Sequence, residues 1–168
     1  RAANSAIERV TPQRAEVAAM LAAYAETDLT CHRAETPEAL AQRQAAAWDP
    51  LLDWAADRFG ARLFATAGIL PVDQPPASLA ALKAHVEGLD AFHLTAFHDL
   101  VTISGSLIIG LAVAHDHLEP EAAWSLSRID EDWQIEQWGN DDEAEAAAAV
   151  KRADFLQAKS FWTLSSSK

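Results

Sequence analysis

The chain has 168 residues, of which 50% are hydrophobic and 23% charged, values that suit a globular domain and argue against general disorder. Its net charge of −12 argues against nucleic-acid binding, which needs a basic patch, and disfavours docking on anionic membranes. The single cysteine, Cys31, excludes an intrachain disulfide and a multi-cysteine zinc site.

The first part of the chain predicts four helices and two short extended segments. Helices are expected at residues 2–9, at 12–27 after the N-cap pair Thr11-Pro12, at 37–48 and at 50–59. Gly60 suits the C-terminal end of the last of these. Residues 29–33 and 62–66 have strand character and are candidates for one small antiparallel pair.

The second part predicts helices arranged around one apolar segment. An irregular connector at 68–77 holds three prolines, and helices follow at 78–87, 91–115 and 120–139, then for about 20 residues from Asp141. The apolar helix is expected to bend or break near Ser104, and residues 165–168 to fray. Its apolar run, 100–114, is shorter than the roughly 20 residues of a membrane-spanning helix.

The predicted fold class is therefore mostly α. We expect one domain, a bundle of about seven helices around a central apolar helix at about 91–115. At most one small two-stranded β pair, about 29–33 with 62–66, accompanies it.

Residues 126–139 combine apolar and acidic side chains in a way that needs an explanation. A helix with two apolar stripes is normally sandwiched between other elements. At about 100° per residue, one stripe contains Ala122, Leu126, Ile129 and Trp133, and the nearly opposite stripe contains Trp124, Ile135 and Trp138. Asp130 falls at the edge of the first stripe. It either meets a buried base from another segment or faces a partner.

Acidic residues concentrate around the same stretch. Residues 119–145 hold ten acids and one base, Arg128, and contribute −9 of the net charge of −12. Acids at helix N-termini complement the helix dipole, and Arg128 can pair with Glu131 or Asp132 at helical spacing. These effects explain several of the acids but not Asp130.

Histidines and aspartates form the set that most resembles an enzyme site. Imidazole and carboxylate ligands suit zinc and other transition metals, so a metal-dependent hydrolase is one alternative function. His93 and His98 are five residues apart, however, which turns them about 140° away from each other on a helix. We therefore predict hydrogen-bonded or solvated histidines and no metal site. The set comprises His93, His98, Asp99, His115, Asp116 and His117.

Hydroxyl and thiol groups are not predicted to act as nucleophiles. Thr102, Ser104 and Ser106 lie in an apolar segment, where hydroxyls usually bond to the preceding turn or allow close helix packing. Cys31 and His32 are adjacent, so on a strand their side chains would point to opposite faces. We predict no catalytic residue and no cofactor.

Five motifs are distributed along the chain: AETDLTCHRAE (25–35), QRQAAAWDPLLDW (42–54), GILPVDQP (68–75), LTAFHDLVTISGSLIIGLAV (94–113) and LSRIDEDWQIEQWG (126–139). Together they resemble the ATP12 family, the assembly chaperones for the F1 sector of ATP synthase. The resemblance covers nearly the whole chain, in order. Residues 1–10 resemble the segment after the family's N-terminal β-rich region, so we expect the C-terminal helical domain of a longer protein.

The resemblance implies a non-enzymatic role: binding the free F1 α subunit and shielding its interface until the β subunit replaces the chaperone. It also implies an alphaproteobacterial cytoplasm, or the mitochondrial matrix for eukaryotic relatives, and we expect a monomer. A functionally important acid of the family falls on Asp130. The predicted partner-binding residues are Asp130, Glu131, Asp132, Gln134, Glu136 and Trp138. A generic acidic adaptor for another basic partner is the second alternative.

Overall fold

This computed structural model describes residues 13–70 and 72–166 of the chain. The described part contains eight α-helices and one pair of two-residue strands. The predicted mostly-α fold is confirmed. The predicted helix at 2–9 and the Thr11-Pro12 cap lie outside the described residues. In chain order the elements are α1 (Arg14–Ala22), β1 (His32–Arg33), α2 (Glu38–Phe59), β2 (Thr66–Ala67), α3 (Pro76–Glu87), α4 (Ala91–Ser104), α5 (Leu107–Ala114), α6 (Pro120–Ser127), α7 (Ile129–Trp138) and α8 (Asp142–Ser166). Two 3₁₀ turns, Ala23–Glu26 and Leu29–Cys31, connect α1 to β1.

The centre of the fold is the predicted apolar segment, divided into two helices. Every residue of α5 is buried, and α4 packs beside it. Gly105, at φ 76°, ends α4 in the left-handed conformation that glycine adopts most readily. The Ser106 hydroxyl then caps α5 by accepting a hydrogen bond from the Ile109 amide at 2.9 Å. The predicted break near Ser104 is thus confirmed.

Helix α2 is continuous, so the prediction of separate helices at 37–48 and 50–59 was wrong. Pro50 lies inside α2 on its exposed side, where water can solvate the carbonyl left without a partner. The opposite face is buried at Gln44, Trp48, Leu51 and Ala55, which follow one helical stripe through the proline. Burial of this stripe outweighs the local cost of Pro50.

The strand pair exists, but its predicted antiparallel direction was wrong. β1 and β2 are parallel, with His32 opposite Thr66 and Arg33 opposite Ala67. Most of the predicted 62–66 strand is irregular because a side chain satisfies its backbone. The Gln74 amide accepts from the Phe64 N–H at 2.9 Å and donates to the Phe64 carbonyl at 3.0 Å.

The predicted helix 120–139 is two helices, because the chain breaks at Arg128 between α6 and α7. Trp124 is buried against Phe155 of α8, with ring centroids 6.1 Å apart. α7 has no buried residue, so the expectation that residues 126–139 are sandwiched between other elements was wrong for this half.

The last helix is longer than expected. α8 has 25 residues and extends to Ser166, so residues 165 and 166 are helical where fraying was predicted. The Ser166 hydroxyl lies 2.7 Å from His93 Nε2 and 3.1 Å from the Trp162 carbonyl. Residues 167–168 lie outside the described part. Among the described helices, none is long and apolar enough to span a bilayer.

Candidate functional site

Helix α7 is an exposed acidic helix that rests on α2. Its first turn carries Asp130, Glu131 and Asp132, and its residues are half-buried or exposed. Arg43 of α2 fixes the far end of α7: its guanidinium makes two hydrogen bonds to the Glu136 carboxylate, at 2.5 and 3.2 Å. The same guanidinium lies over the Trp133 ring, 5.0 Å from its centroid. One arginine thereby holds the helix while leaving its outer side open.

Asp130 is half-buried, and within the described residues its hydrogen-bond partner is a side-chain amide rather than a base. The Gln44 side chain, 2% exposed, donates from Nε2 to Asp130 Oδ1 at 2.7 Å and accepts from the Ala34 N–H at 2.8 Å. No ion pair to Asp130 occurs within the described residues. Of the two predicted possibilities, a buried base is therefore not found in this part of the chain. The carboxylate keeps its charge available to a cation from outside.

A groove of about 340 Å³ opens beside this carboxylate. Asp130 and Gln134 form one wall, and His32 and Arg33 of β1 form the other. Arg33 is already engaged, donating to the Thr30 carbonyl at 2.8 and 3.0 Å and pairing with Asp49 at 2.8 Å. Its charge is therefore shared with groups outside the groove.

The other predicted residues lie along the same helix in different environments. Glu131 pairs with Arg128 at 3.7 Å, and Asp132 is exposed. The Arg43 guanidinium lowers the pKa of Glu136 by hydrogen bonding to its charged form. Trp138, at the end of α7, is 82% exposed. The predicted residues thus lie on one helix but face different surroundings, with Asp130 lining one groove and Trp138 lining another.

The second groove runs between α7 and α8 and encloses about 480 Å³. Ile135 and Trp138 line one side, and Ala144, Ala147 and Ala148 line the other. The sequence did not indicate the α8 side, because small alanines on an amphipathic helix carry no signal for a binding wall. Gln44 and Arg43 were also missed, since their partners lie 86 and 93 residues away along the chain.

The predicted histidine and aspartate set is dispersed. His93 contacts Asp90 and Ser166, His98 pairs with Asp99 at 3.0 Å, and Asp116 pairs with Lys159 at 2.7 Å. His117 stacks on Trp54 with ring centroids 4.7 Å apart. His115 Nε2 lies 2.9 Å from His85 Nε2. Within residues 13–70 and 72–166 no three ligand side chains of this kind are grouped to hold a metal ion.

The hydroxyl and thiol groups have structural contacts. Thr102 donates to the His98 carbonyl and Ser104 to the Leu100 carbonyl, at 2.8 and 2.7 Å, as predicted for hydroxyls in an apolar helix. Ser106 instead caps α5. Burial, followed by the nearby Asp28 charge, raises the pKa of the Cys31 thiol to about 12, so it stays protonated at neutral pH.

Comparisons with known proteins agree on one family. The family model of the ATP12 chaperone protein matches residues 1–56. The crystal structure of Atp12 from Paracoccus denitrificans is 54% identical with a TM-score of 0.95, and the match covers 98% of this chain and 70% of that one. An aspartate-to-lysine mutant of the P. denitrificans protein matches at 53% identity and a TM-score of 0.95, with the same coverage. The Atu1473 protein from Agrobacterium tumefaciens matches at 37% identity and a TM-score of 0.91, covering 100% of this chain and 62% of that one.

Proposed function

This chain belongs to the ATP12 chaperone family, and from that premise we propose that it binds the free α subunit of the F1 sector of ATP synthase. It acts without catalysis, by covering the assembly interface of the α subunit until the β subunit replaces it. Two similar solved structures are of a protein named Atp12, which supports the chaperone role. Because these relatives come from bacteria, we also propose a bacterial cytoplasm as the site of action.

The observation that carries the proposal is the open carboxylate of Asp130. It lies half-buried on α7, is held by a neutral amide and has no ion pair within the described residues. A cationic side chain of the client could reach it with little rearrangement, and a charge-assisted hydrogen bond is stronger than a neutral one. The surrounding acids would speed the encounter with a basic surface and fix its orientation.

Release by exchange fits this arrangement. The groove beside Asp130 is small, about 340 Å³, and partly open, so it holds a side chain rather than a long segment. Binding spread over several modest contacts lets the β subunit displace the chaperone one contact at a time. No covalent step is needed, and Asp130 acts only as a fixed, charged acceptor.

Replacement of Asp130 by lysine tests the proposal directly. We expect Asp130→Lys to weaken binding to purified free α subunit by at least about tenfold, because it places like charges where the client cation sits. Asp130→Asn, which preserves an acceptor for Gln44, should weaken binding less. Isothermal titration calorimetry measures both affinities, and circular dichroism checks that the helical fold is retained.

Asp57→Lys is the matched control. Asp57 is an exposed acid of α2 outside both grooves, and the substitution changes the net charge by the same amount. We expect its affinity to stay within about twofold of the unsubstituted protein. Equal affinities for Asp130→Lys and the unsubstituted protein would remove Asp130 from the site. If the unsubstituted protein itself fails to bind free α subunit, the proposed function is wrong.

A further inference from the structure

An exposed tryptophan marks the groove between α7 and α8. Trp138 is 82% exposed and Ile135 is 37% exposed, whereas Trp48, Trp124 and Trp162 are buried. Exposing a tryptophan leaves a large apolar area in water, and such exposed apolar patches usually mark interaction sites. Tryptophan is also enriched among the residues that dominate binding energy at protein interfaces.

The shape of the groove suits inserted apolar side chains. Ala144, Ala147 and Ala148 form a shallow wall because their side chains stop at Cβ, while Trp138 and Ile135 form the opposite wall. The volume of about 480 Å³ leaves room for a few side chains from a docked segment. Such a groove between two helices resembles the sites where a partner segment inserts apolar anchors.

The charges around the groove specify the chemistry of its occupant. Residues 129–145 contain eight acids and no base. Arg128 also lines the groove but is already paired with Glu131, and Arg43 is paired with Glu136. Lys151 is the other cation of the lining, on the α8 side. The field at this end of the molecule is therefore acidic and complements a basic segment.

We propose that the α7–α8 groove docks a segment of the client protein that carries apolar anchor side chains flanked by lysine or arginine. The anchors pack between Trp138 and the alanines of α8, and the flanking cations meet the acids of α7 and of the α8 N-terminus. This proposal rests on the proposed chaperone function and names a second contact, distinct from the groove at Asp130.

Truncation of Trp138 tests the groove. With purified free α subunit as the probe, we expect Trp138→Ala to weaken binding by about tenfold or more, as for an aromatic anchor at an interface. Val150→Ala is the matched control, because Val150 is 61% exposed on α8 and does not line the groove. Its affinity should stay within about twofold. Both substitutions are at exposed positions, and thermal melts check that the fold is preserved.

A second measurement reports on Trp138 itself. Acrylamide quenching of tryptophan fluorescence is measured for the unsubstituted protein and for Trp138→Phe, each with and without the α subunit. The difference between the two proteins isolates the fluorescence of Trp138. Binding should protect Trp138 from quenching. If the unsubstituted protein binds, but Trp138→Ala binds equally well and Trp138 stays accessible, the groove proposal is overturned while the chaperone function stands. If the unsubstituted protein does not bind the α subunit, both proposals fall.

Discussion

At the scale of single residues, Asp28 connects two segments that are distant in the sequence. Its side chain is fully buried and accepts hydrogen bonds from the Ser106 hydroxyl at 2.6 Å and from the Leu107 and Ile108 amides at 2.7 and 3.2 Å. The Thr30 hydroxyl and amide donate to it as well. Burial raises the pKa of Asp28 above its ordinary value, although these donors oppose the shift. The carboxylate holds the 3₁₀ turn of residues 29–31 against the first turn of α5.

Asp28→Asn should therefore destabilise the fold. The asparagine NH₂ group faces donors in place of one carboxylate oxygen, so at least one buried donor loses its acceptor. We expect the free energy of unfolding to fall by about 2–4 kcal/mol. Urea denaturation followed by circular dichroism measures the change.

Asp90→Asn is the control for this substitution. Asp90 caps α4 from an exposed position, and asparagine is about as good a helix cap as aspartate. A loss below about 1 kcal/mol is expected there. If Asp28→Asn instead unfolds at the same urea concentration as the unsubstituted protein, the prediction is wrong. Asp28 would then be held in its neutral, protonated form in the folded protein.

At the scale of elements, the proline in α2 gives the clearest prediction. Pro50 lacks an N–H and leaves the carbonyl of Ala46 without its helical partner, yet α2 continues on both sides. Pro50→Ala restores the donor and should raise the free energy of unfolding by ~1–2 kcal/mol, less than the helix-interior penalty of ~3 kcal/mol because proline also stiffens the unfolded chain. The shift in the urea midpoint measures the gain. A loss of stability would instead mean that a bend at Pro50 is needed to seat Trp48 and Leu51.

Some elements of the fold could be predicted from the sequence and others could not. Local patterns were sufficient for α5, where an apolar run and Gly105 defined both the burial and the break. Pro50 led to the wrong prediction of two separate helices. Burial of the apolar stripe on the opposite face keeps α2 continuous despite the proline. The parallel direction of β1 and β2 was not predictable, because strands of two residues carry no pattern that distinguishes parallel from antiparallel pairing. Gln74 occupies the backbone hydrogen bonds of Phe64, which keeps that residue out of the strand pair.

The candidate site was predictable in part, for a related reason. The concentration of acids on residues 126–139 is visible in the sequence, and so is the anomaly at Asp130. Its partner Gln44 is 86 residues away and uncharged, and no spacing rule links such a pair. The helical wheel also gave no sign of the break at Arg128 between α6 and α7.

At the scale of the whole molecule, stability and binding are served by different regions. α5 and its neighbours bury the apolar core, while the window 119–145 carries −9 of the net charge of −12. α7 contributes no buried residue, and its contacts with the interior are those of the half-buried Ile129 and of Asp130 with Gln44. This separation is why substitutions at Asp130 and Trp138 are expected to change binding while the fold persists.

The junction of several helices supplies a prediction about pH. His85 of α3 and His115, just after α5, meet through their Nε2 atoms at 2.9 Å, beside Phe59 of α2. Burial, then the neighbouring His85, lowers the pKa of His115 to about 4, with Arg58 and Lys159 adding to the effect and Asp116 opposing it. Burial and then Arg58 lower the pKa of His85 as well. The folded protein thus holds both rings neutral.

Stability should therefore decrease in acid because of this pair. The pKa of each ring is lower in the folded than in the unfolded state, so each contributes stability above its ordinary pKa that is lost in acid. For His115 the contribution is complete above about pH 6.5 and is lost as the pH falls toward about 4. His115→Gln removes one of these groups while keeping a polar partner for His85. Between about pH 7 and pH 4.5 we expect the free energy of unfolding of the variant to fall by ~1–2 kcal/mol less than that of the unsubstituted protein. This value is reduced for solvent screening of a partly exposed ring.

His98→Gln is the control. It removes an exposed histidine paired with Asp99 and should follow the curve of the unsubstituted protein. Urea denaturation across this pH range measures all three proteins, and parallel curves for His115→Gln and His98→Gln would contradict a role for the buried pair.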